Sequence, residues 1–397
     1  MVMFDYHLLS RFANTKRIKI IWCRDHRTHG VRFNNPVIKY VGKFVGATTT
    51  LVDRTGQTNT SWFDYSPIPS DVNTEKSFET CALETAEGIW NLARKKNNLP
   101  VHIGWSGGID SSSALLALLE TKPIDNELHV RYTTDSIQEF PSLYNEVVSK
   151  QWKPVPVDML YDTDYYNRTD CLKVSGDCGD QIFGSDSVVD DDNSFYDSWQ
   201  IMKKWDLEKV YAPVFSSHGK RAVWPADLKI RPELWKYIDE HVTRAPFEIK
   251  TIFDLYWWIN FSLKWQHVKY RMAIQFSGAT EYKANLAFFD TEDFQRWSLS
   301  NHDKKHKYTW TSYKWPAKEF IHKYHPDRDY LINKKKVGSG ISSVPWRKSG
   351  SQALPSYPDR PQLILSDGRI WKYSDGEIPA HVDEEVSIFE EFYWLRK

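Results

Sequence analysis

Cysteine is scarce in this chain. Its four copies, Cys23, Cys81, Cys171 and Cys178, include no pair at the two-residue spacing of a zinc or dithiol redox motif, which points to a reduced compartment and a cytoplasmic protein. Net charge is absent too: 52 basic residues balance 52 acidic ones, so bulk electrostatics give no reason to expect a nucleic-acid or anionic-membrane partner. Long apolar runs are missing. The most apolar stretch, Leu255 to Leu263, is far shorter than the ~20 residues that span a bilayer, and no membrane association is expected. The first residues, MVMFDYHLLSRFANTKR, lack the apolar core and small-residue cleavage site of a signal peptide. Neither a G-x-x-x-x-G-K-[ST] phosphate loop nor a G-x-G-x-x-G dinucleotide fingerprint is present.

Aromatic residues, by contrast, are plentiful, with 18 Trp, 21 Tyr and 20 Phe. Their scatter fits core filling, including Tyr256, Trp257, Trp258 and Trp265, whose helical spacing favours packing over a pocket wall. The 397 residues divide into three regions by rhythm. Residues 1–74 are β-rich, with alternation over IKIIW and VIKYVGKFVGATTTLV. Residues 75–343 open with an amphipathic helix over 75–96, whose apolar positions are Phe78, Ala82, Ala86, Ile89, Trp90 and Leu92. Short apolar runs then alternate with helical patterns: VHIGW, a helix from Ser112 to Glu120, LHVRYTT, a helix from Ser142 to Gln151, VPVDML and CLKVSG. That order predicts an α/β fold with a parallel, doubly wound sheet. From about residue 227 the pattern turns largely helical as far as Asp303, with a further helix near Pro316 to Tyr324. Residues 344–397 read as a Pro-, Gly- and Ser-rich extension.

The most informative segment is Val101 to Glu120, VHIGWSGGIDSSSALLALLE. A strand runs into Ser106, Gly107, Gly108, Ile109, Asp110, Ser111 and Ser112, and a helix follows at once. Paired glycines turn the backbone so that its amides face inward, and the helix N-terminus adds unsatisfied N–H groups and a positive dipole end. An anion site is the expected outcome, with the hydroxyls of Ser106, Ser111 and Ser112 as further donors. Asp110 would repel a bare phosphate but suits one that carries Mg²⁺.

This segment resembles the PP-loop of the ATP pyrophosphatase superfamily, whose members cleave ATP between the α and β phosphates. A second segment, Gly176-Asp177-Cys178-Gly179-Asp180-Gln181-Ile182-Phe183-Gly184, resembles the glycine-framed acidic loop of the asparagine synthetase-like branch. The resemblance implies a loop lying opposite the first, where Gly176, Asp177 and Gly179 help hold nucleotide and Asp180 joins Asp110 on Mg²⁺. Asp177 and Gln181 stand where that family has glutamates. Phe253-Asp254-Leu255, Arg271-Met272 and Ala287-Phe288-Phe289-Asp290 are similar to the family's helical part and its Pro-Phe-Leu-Asp run. Lys334-Lys335-Lys336 before Val337-Gly338-Ser339-Gly340 looks like its late lysine-glycine segment. In that alignment Lys335, with Lys336 as the other register, neutralises the leaving pyrophosphate.

The implied activity is ATP- and Mg²⁺-dependent adenylation of a small-molecule carboxylate with release of pyrophosphate, followed by transfer to ammonia or an amine. Two departures bear on it. Lys283 falls where the family has its catalytic glutamate, with Glu281 two residues earlier, so adenylation is better supported than amide formation. Val2 replaces the nucleophilic cysteine of glutamine-dependent relatives, and a leader of about 75 residues is too short for a glutaminase domain. The other readings are a PP-loop enzyme acting on a nucleobase or nucleotide, where Cys178 is the only cysteine near the chemistry, and a non-catalytic ATP-binding relative. His302 and His306, at i, i+4 among lysines, are expected on a solvated face, and Asp190-Asp191-Asp192 in a hydrophilic loop.

Overall fold

The computed structural model describes residues 18–21, 53–55, 57, 67–72, 74–150, 153–157, 160, 165, 168–184, 230–265, 268, 285–307, 310–334, 362–365 and 370–372. After β1 (Ile18–Ile21) come helix α1 (Phe78–Lys95), β2 (Val101–Gly104), α2 (Ile109–Glu120), β3 (Leu128–Tyr132), α3 (Thr134–Glu139), α4 (Pro141–Glu146) and β4 (Lys153–Pro156). Then follow β5 (Leu172–Ser175), α5 (Gly179–Phe183), α6 (Ile230–Val242), α7 (Ile252–Leu263), β6 (Asn285–Ala287), α8 (Glu292–Ser300), α9 (Trp315–Tyr324), α10 (Arg328–Asn333), β7 (Gln362–Leu365) and β8 (Ile370–Lys372).

The core of the architecture is a five-stranded, all-parallel sheet in the order β4-β3-β2-β5-β6. The chain is therefore an α/β protein whose topology is compatible with a doubly wound fold. Strand order reverses between β2 and β5: β3 and β4 extend the sheet from one side of β2, and β5 then pairs on its other side, Val101 with Leu172 and Ile103 with Val174. The crevice above the carboxyl ends of two such strands is where open α/β sheets bind ligands. No helix among the described residues is long and apolar enough to cross a membrane.

Local sequence explains the helices that frame this crevice. In α1 the Ser77 hydroxyl accepts from the Thr80 amide at 3.0 Å, and Phe78, Cys81, Ala82, Ala86, Ile89, Trp90 and Ala93 form the buried face. Helix α2 is buried from Ser111 to Leu118 because α1 and α9 pack on it. It begins three residues before the expected Ser112, with Gly108 as its N-cap and no side-chain cap. Where one helix over 142–151 was expected, α4 ends at Glu146 and a short 3-10 turn covers Val148–Lys150, while Pro141, which cannot donate into a preceding turn, starts α4 at its first position and separates it from α3.

The structure departs from two further expectations. The stretch read as helical to Asp303 contains a strand, β6, too short for its period to register in sequence. Strand β4, at 153–156, starts two residues before the VPVDML run and takes in only Val155 and Pro156 of it. The tryptophan reading holds: Trp257, Trp258 and Trp265 are all buried. Each indole N–H has an acceptor, respectively the Ile182 carbonyl at 3.0 Å, the His241 carbonyl at 2.9 Å and Asp290 Oδ1 at 2.7 Å.

Residues from the N-terminal region are fixed to this body. Arg54 donates to the Phe261 carbonyl at 2.8 Å, with its guanidinium over the Phe261 and Trp265 rings. Strand β1 pairs antiparallel with β7, and β7 with β8, joining the two ends of the chain in a small separate sheet.

Candidate active site

Both loops singled out in the sequence leave the two strands at the reversal point. Gly107 turns the first loop with φ +75°, a conformation that disfavours a side chain. A Cβ there would also lie 2.4 Å from the Ser136 carbonyl oxygen and 2.7 Å from Glu139 Cβ, so the loop passes directly under α3. Ser106 and Ser111 close the turn on itself. Their hydroxyls are 2.9 Å apart, the Ser106 amide donates to Ser111 Oγ at 3.1 Å, and Ser111 Oγ donates to the Gly108 carbonyl at 3.2 Å.

Ser112 corrects an expectation. Its hydroxyl is fully buried and accepts from the Trp105 indole at 3.0 Å, so it faces the interior and adds no donor to the loop surface. A helical rise turns the residue after Ser111 by about 100°, which carries it from the crevice into the core.

The second loop packs on the first through its glycines. A Cβ on Gly176 would lie 2.8 Å from the Ser111 amide nitrogen, and one on Gly179 would lie 2.4 to 2.8 Å from the three carboxyl atoms of Asp110. The Asp110 carboxylate thus rests in a cradle that any larger residue would fill. Cys178 takes a left-handed turn, φ +68°, between these glycines and is 1 % exposed. Asp177 accepts from the Ser175 hydroxyl at 2.8 Å. Asp180 stands across from Asp110, its Oδ1 accepting from the Tyr313 hydroxyl at 3.1 Å and its carbonyl from Asn260 Nδ2 at 2.7 Å. Gln181 turns inward and donates to Asn260 Oδ1 at 3.1 Å. Behind the loop, the Phe288 amide donates to the Ser175 carbonyl at 2.9 Å, which places the Ala287-to-Asp290 run against it.

Lys314, which no motif in the sequence marks, joins the two carboxylates. Its ammonium donates to Asp110 Oδ2 and, at 2.7 Å, to Asp180 Oδ1. The residue precedes α9 in a left-handed conformation, φ +55°, and the docking of α9 on α2 delivers its side chain, 4 % exposed, to the crevice. The paired carboxylates remain partly open, at 22 % for Asp110 and 33 % for Asp180.

Lys334 lies beside the first loop, where its ammonium pairs with Glu139 Oε1 at 2.6 Å and donates to the Glu139 carbonyl at 2.9 Å. Lys318 anchors the same segment by donating to the Thr311 carbonyl at 2.6 Å and to the Lys334 carbonyl. Burial, reinforced by the charge of Lys334, lowers its pKa to about 8. Lys335 and Lys336 follow immediately but lie outside the described residues, as do Val2, Asp190 to Asp192, Arg271, Met272, Glu281 and Lys283.

Among the described residues no three His, Cys, Asp or Glu side chains are grouped to hold a metal ion. The donor set nevertheless fits Mg²⁺ bound together with phosphate. That ion takes hard oxygen ligands, commonly one or two carboxylates with the rest from substrate and water. Two carboxylates converge here, and the Lys314 ammonium stands in for a cation between them.

His306 is buried and His302 largely so, its side chain 14 % exposed, and neither lies on a solvated face. His302 Nε2 lies 2.7 Å from Asp254 Oδ1 and its Nδ1 2.9 Å from Lys305 Nζ, which itself sits 3.6 Å above the Trp257 ring. Burial pushes His241, His302 and His306 down to about 4, and His102, stacked on His129, to about 3. A histidine with a folded pKa below its unfolded value, about 6.5, contributes stability that is full above that value and lost as pH falls toward the folded pKa. Unfolding free energies from urea titrations are therefore expected to drop steeply between pH 6.5 and 4, by up to roughly 1.4 kcal/mol per pH unit for each histidine, with the midpoint falling alongside. A midpoint flat across that window would contradict the burial of these rings.

Family models, curated proteins and solved structures offer no match to this chain. The class reached here is therefore an α/β protein with two glycine-framed loops at the reversal point of a parallel sheet, joined by a lysine between two aspartates.

Proposed function

We propose that this chain is an ATP-dependent, AMP-forming ligase of the asparagine synthetase-like PP-loop type, which adenylates a small-molecule carboxylate and passes it to ammonia or an amine. The observation that carries the reading is the convergence of Asp110 and Asp180 on Lys314, at the mouth formed by the Ser106–Ser111 and Gly176–Asp180 loops. Gly107 and Gly108 lead into an α2 N-terminus without a side-chain cap, which suits it to receive phosphate oxygens.

In this reading the loop backbone would hold the β and γ phosphates of ATP, and Asp110 and Asp180 would hold Mg²⁺. When bound, the ion neutralises phosphate charge and fixes the pyrophosphate as a leaving group. A substrate carboxylate oxygen attacks the α phosphorus in line, the bond to the bridging oxygen breaks, and pyrophosphate departs with that electron pair. Lys314, with Lys335 from the late lysine-glycine segment, supplies positive charge as it leaves. The protein contributes position and electrostatics more than bond-making groups. Amine attack on the acyl-adenylate would then release AMP.

The nucleobase-modifying alternative gains little from Cys178, whose thiol is buried against the loop. Incubation with ATP, Mg²⁺ and a panel of carboxylates, with and without ammonium, is expected to yield carboxylate-dependent AMP and pyrophosphate. ATP binding with no α,β cleavage across the panel would favour the non-catalytic reading.

A further inference from the structure

We infer that Lys314 is a built-in counter-ion that keeps divalent metal off Asp110 and Asp180 until nucleotide arrives, so that metal enters this site together with phosphate. The inference rests on the proposed nucleotide site but not on turnover.

Lys314 contacts one oxygen of each carboxylate, in the space that a cation shared by Asp110 and Asp180 would take. Its side chain is nearly buried. It emerges from a residue fixed in a left-handed turn at the start of α9, with the Tyr313 and Phe183 rings 5.1 and 5.9 Å from the ammonium. These constraints oppose a swing out to bulk water. The ammonium already pairs with both carboxylates, so a dication entering alone meets carboxylates partly neutralised and a like-charged neighbour in the position it would take. Phosphate oxygens change that balance, because they offer the ammonium new acceptors while ligating the metal. Binding of metal and of nucleotide should therefore be positively coupled, each tightening the other by the same factor.

The test is Mn²⁺ binding followed by electron paramagnetic resonance, with Mn²⁺ standing in for Mg²⁺ and the α,β-methylene analogue of ATP as the nucleotide. The wild-type protein is expected to bind Mn²⁺ about tenfold or more tightly with the analogue than without it. Lys314→Met should bind Mn²⁺ without nucleotide at least about tenfold more tightly than wild type, since it removes the cation that occupies the position shared by the two carboxylates. Lys314→Arg, which keeps the charge, should not. Lys314→Met should also melt lower in EDTA and recover with Mn²⁺. A folded Lys314→Met protein with wild-type Mn²⁺ affinity overturns the inference. Should that variant fail to fold, the wild-type titration decides: Mn²⁺ bound as tightly without the analogue as with it overturns the inference equally. Neither readout needs AMP formation, so an inactive protein can pass this test and an active one can fail it.

Discussion

Gly179→Ala is expected to abolish activity and destabilise the protein by about 2 to 4 kcal/mol, as overpacking against an immobile neighbour does. The added methyl group would lie 2.4 Å from Asp110 Cγ and 2.6 and 2.8 Å from its oxygens. Asp110 has little room to yield, for its backbone is in the first turn of α2 and its carboxylate is tied to Lys314. The two loops must then separate, and shifts on the order of 1 Å in a catalytic constellation cost about a hundredfold in rate. Gly107→Ala should behave similarly, because it combines a positive φ with a contact of 2.4 Å to a backbone oxygen. Gly88→Ala is the control. It lies in the middle of α1 with no atom within 4 Å of the new methyl group, and should stabilise by about 0.5 to 1 kcal/mol. Chemical denaturation of the three variants checks the set, and wild-type stability in Gly179→Ala would refute the close approach of the loops.

Asp110→Asn is expected to lower carboxylate-dependent AMP formation by a factor on the order of a thousand. The substitution nearly preserves shape, so the cradle at Gly179 should survive, while the charge that faces Lys314, and on which the proposed metal would rest, is lost. The result should appear in turnover and in metal dependence more than in folding, because Asp180 still pairs with Lys314 at 2.7 Å. Full activity in Asp110→Asn would remove the metal assignment.

Much of the parallel sheet and the meeting of the two loops were legible in the sequence, because their signals are local. VHIGW and CLKVSG are compact apolar runs, and each is followed within two residues by a glycine-rich turn. Lys314 was invisible for the opposite reason. Its partners lie 204 and 134 residues away, and in sequence it is one lysine among Lys304, Lys305, Lys307 and Lys318. Ser112 was misread because a strand-to-helix turn does not announce which of its consecutive serines points at the crevice. The same limit applied to His302 and Lys305. A run of charged residues reads as solvated until α7 supplies Asp254 and Trp257 to receive them. Strand β6, three residues long, exists because β5 offers it an edge, and nothing in Asn285-Leu286-Ala287 demands it.

The central claim is that a carboxylate attacks the α phosphorus of ATP at this site. It is tested most directly with carboxylate substrate labelled with oxygen-18, following the label in the products after turnover with ATP and Mg²⁺. Attack through the carboxylate requires one labelled oxygen to appear in AMP, with none in pyrophosphate. Label confined to phosphate alongside ADP, or AMP that never carries it, would contradict the account.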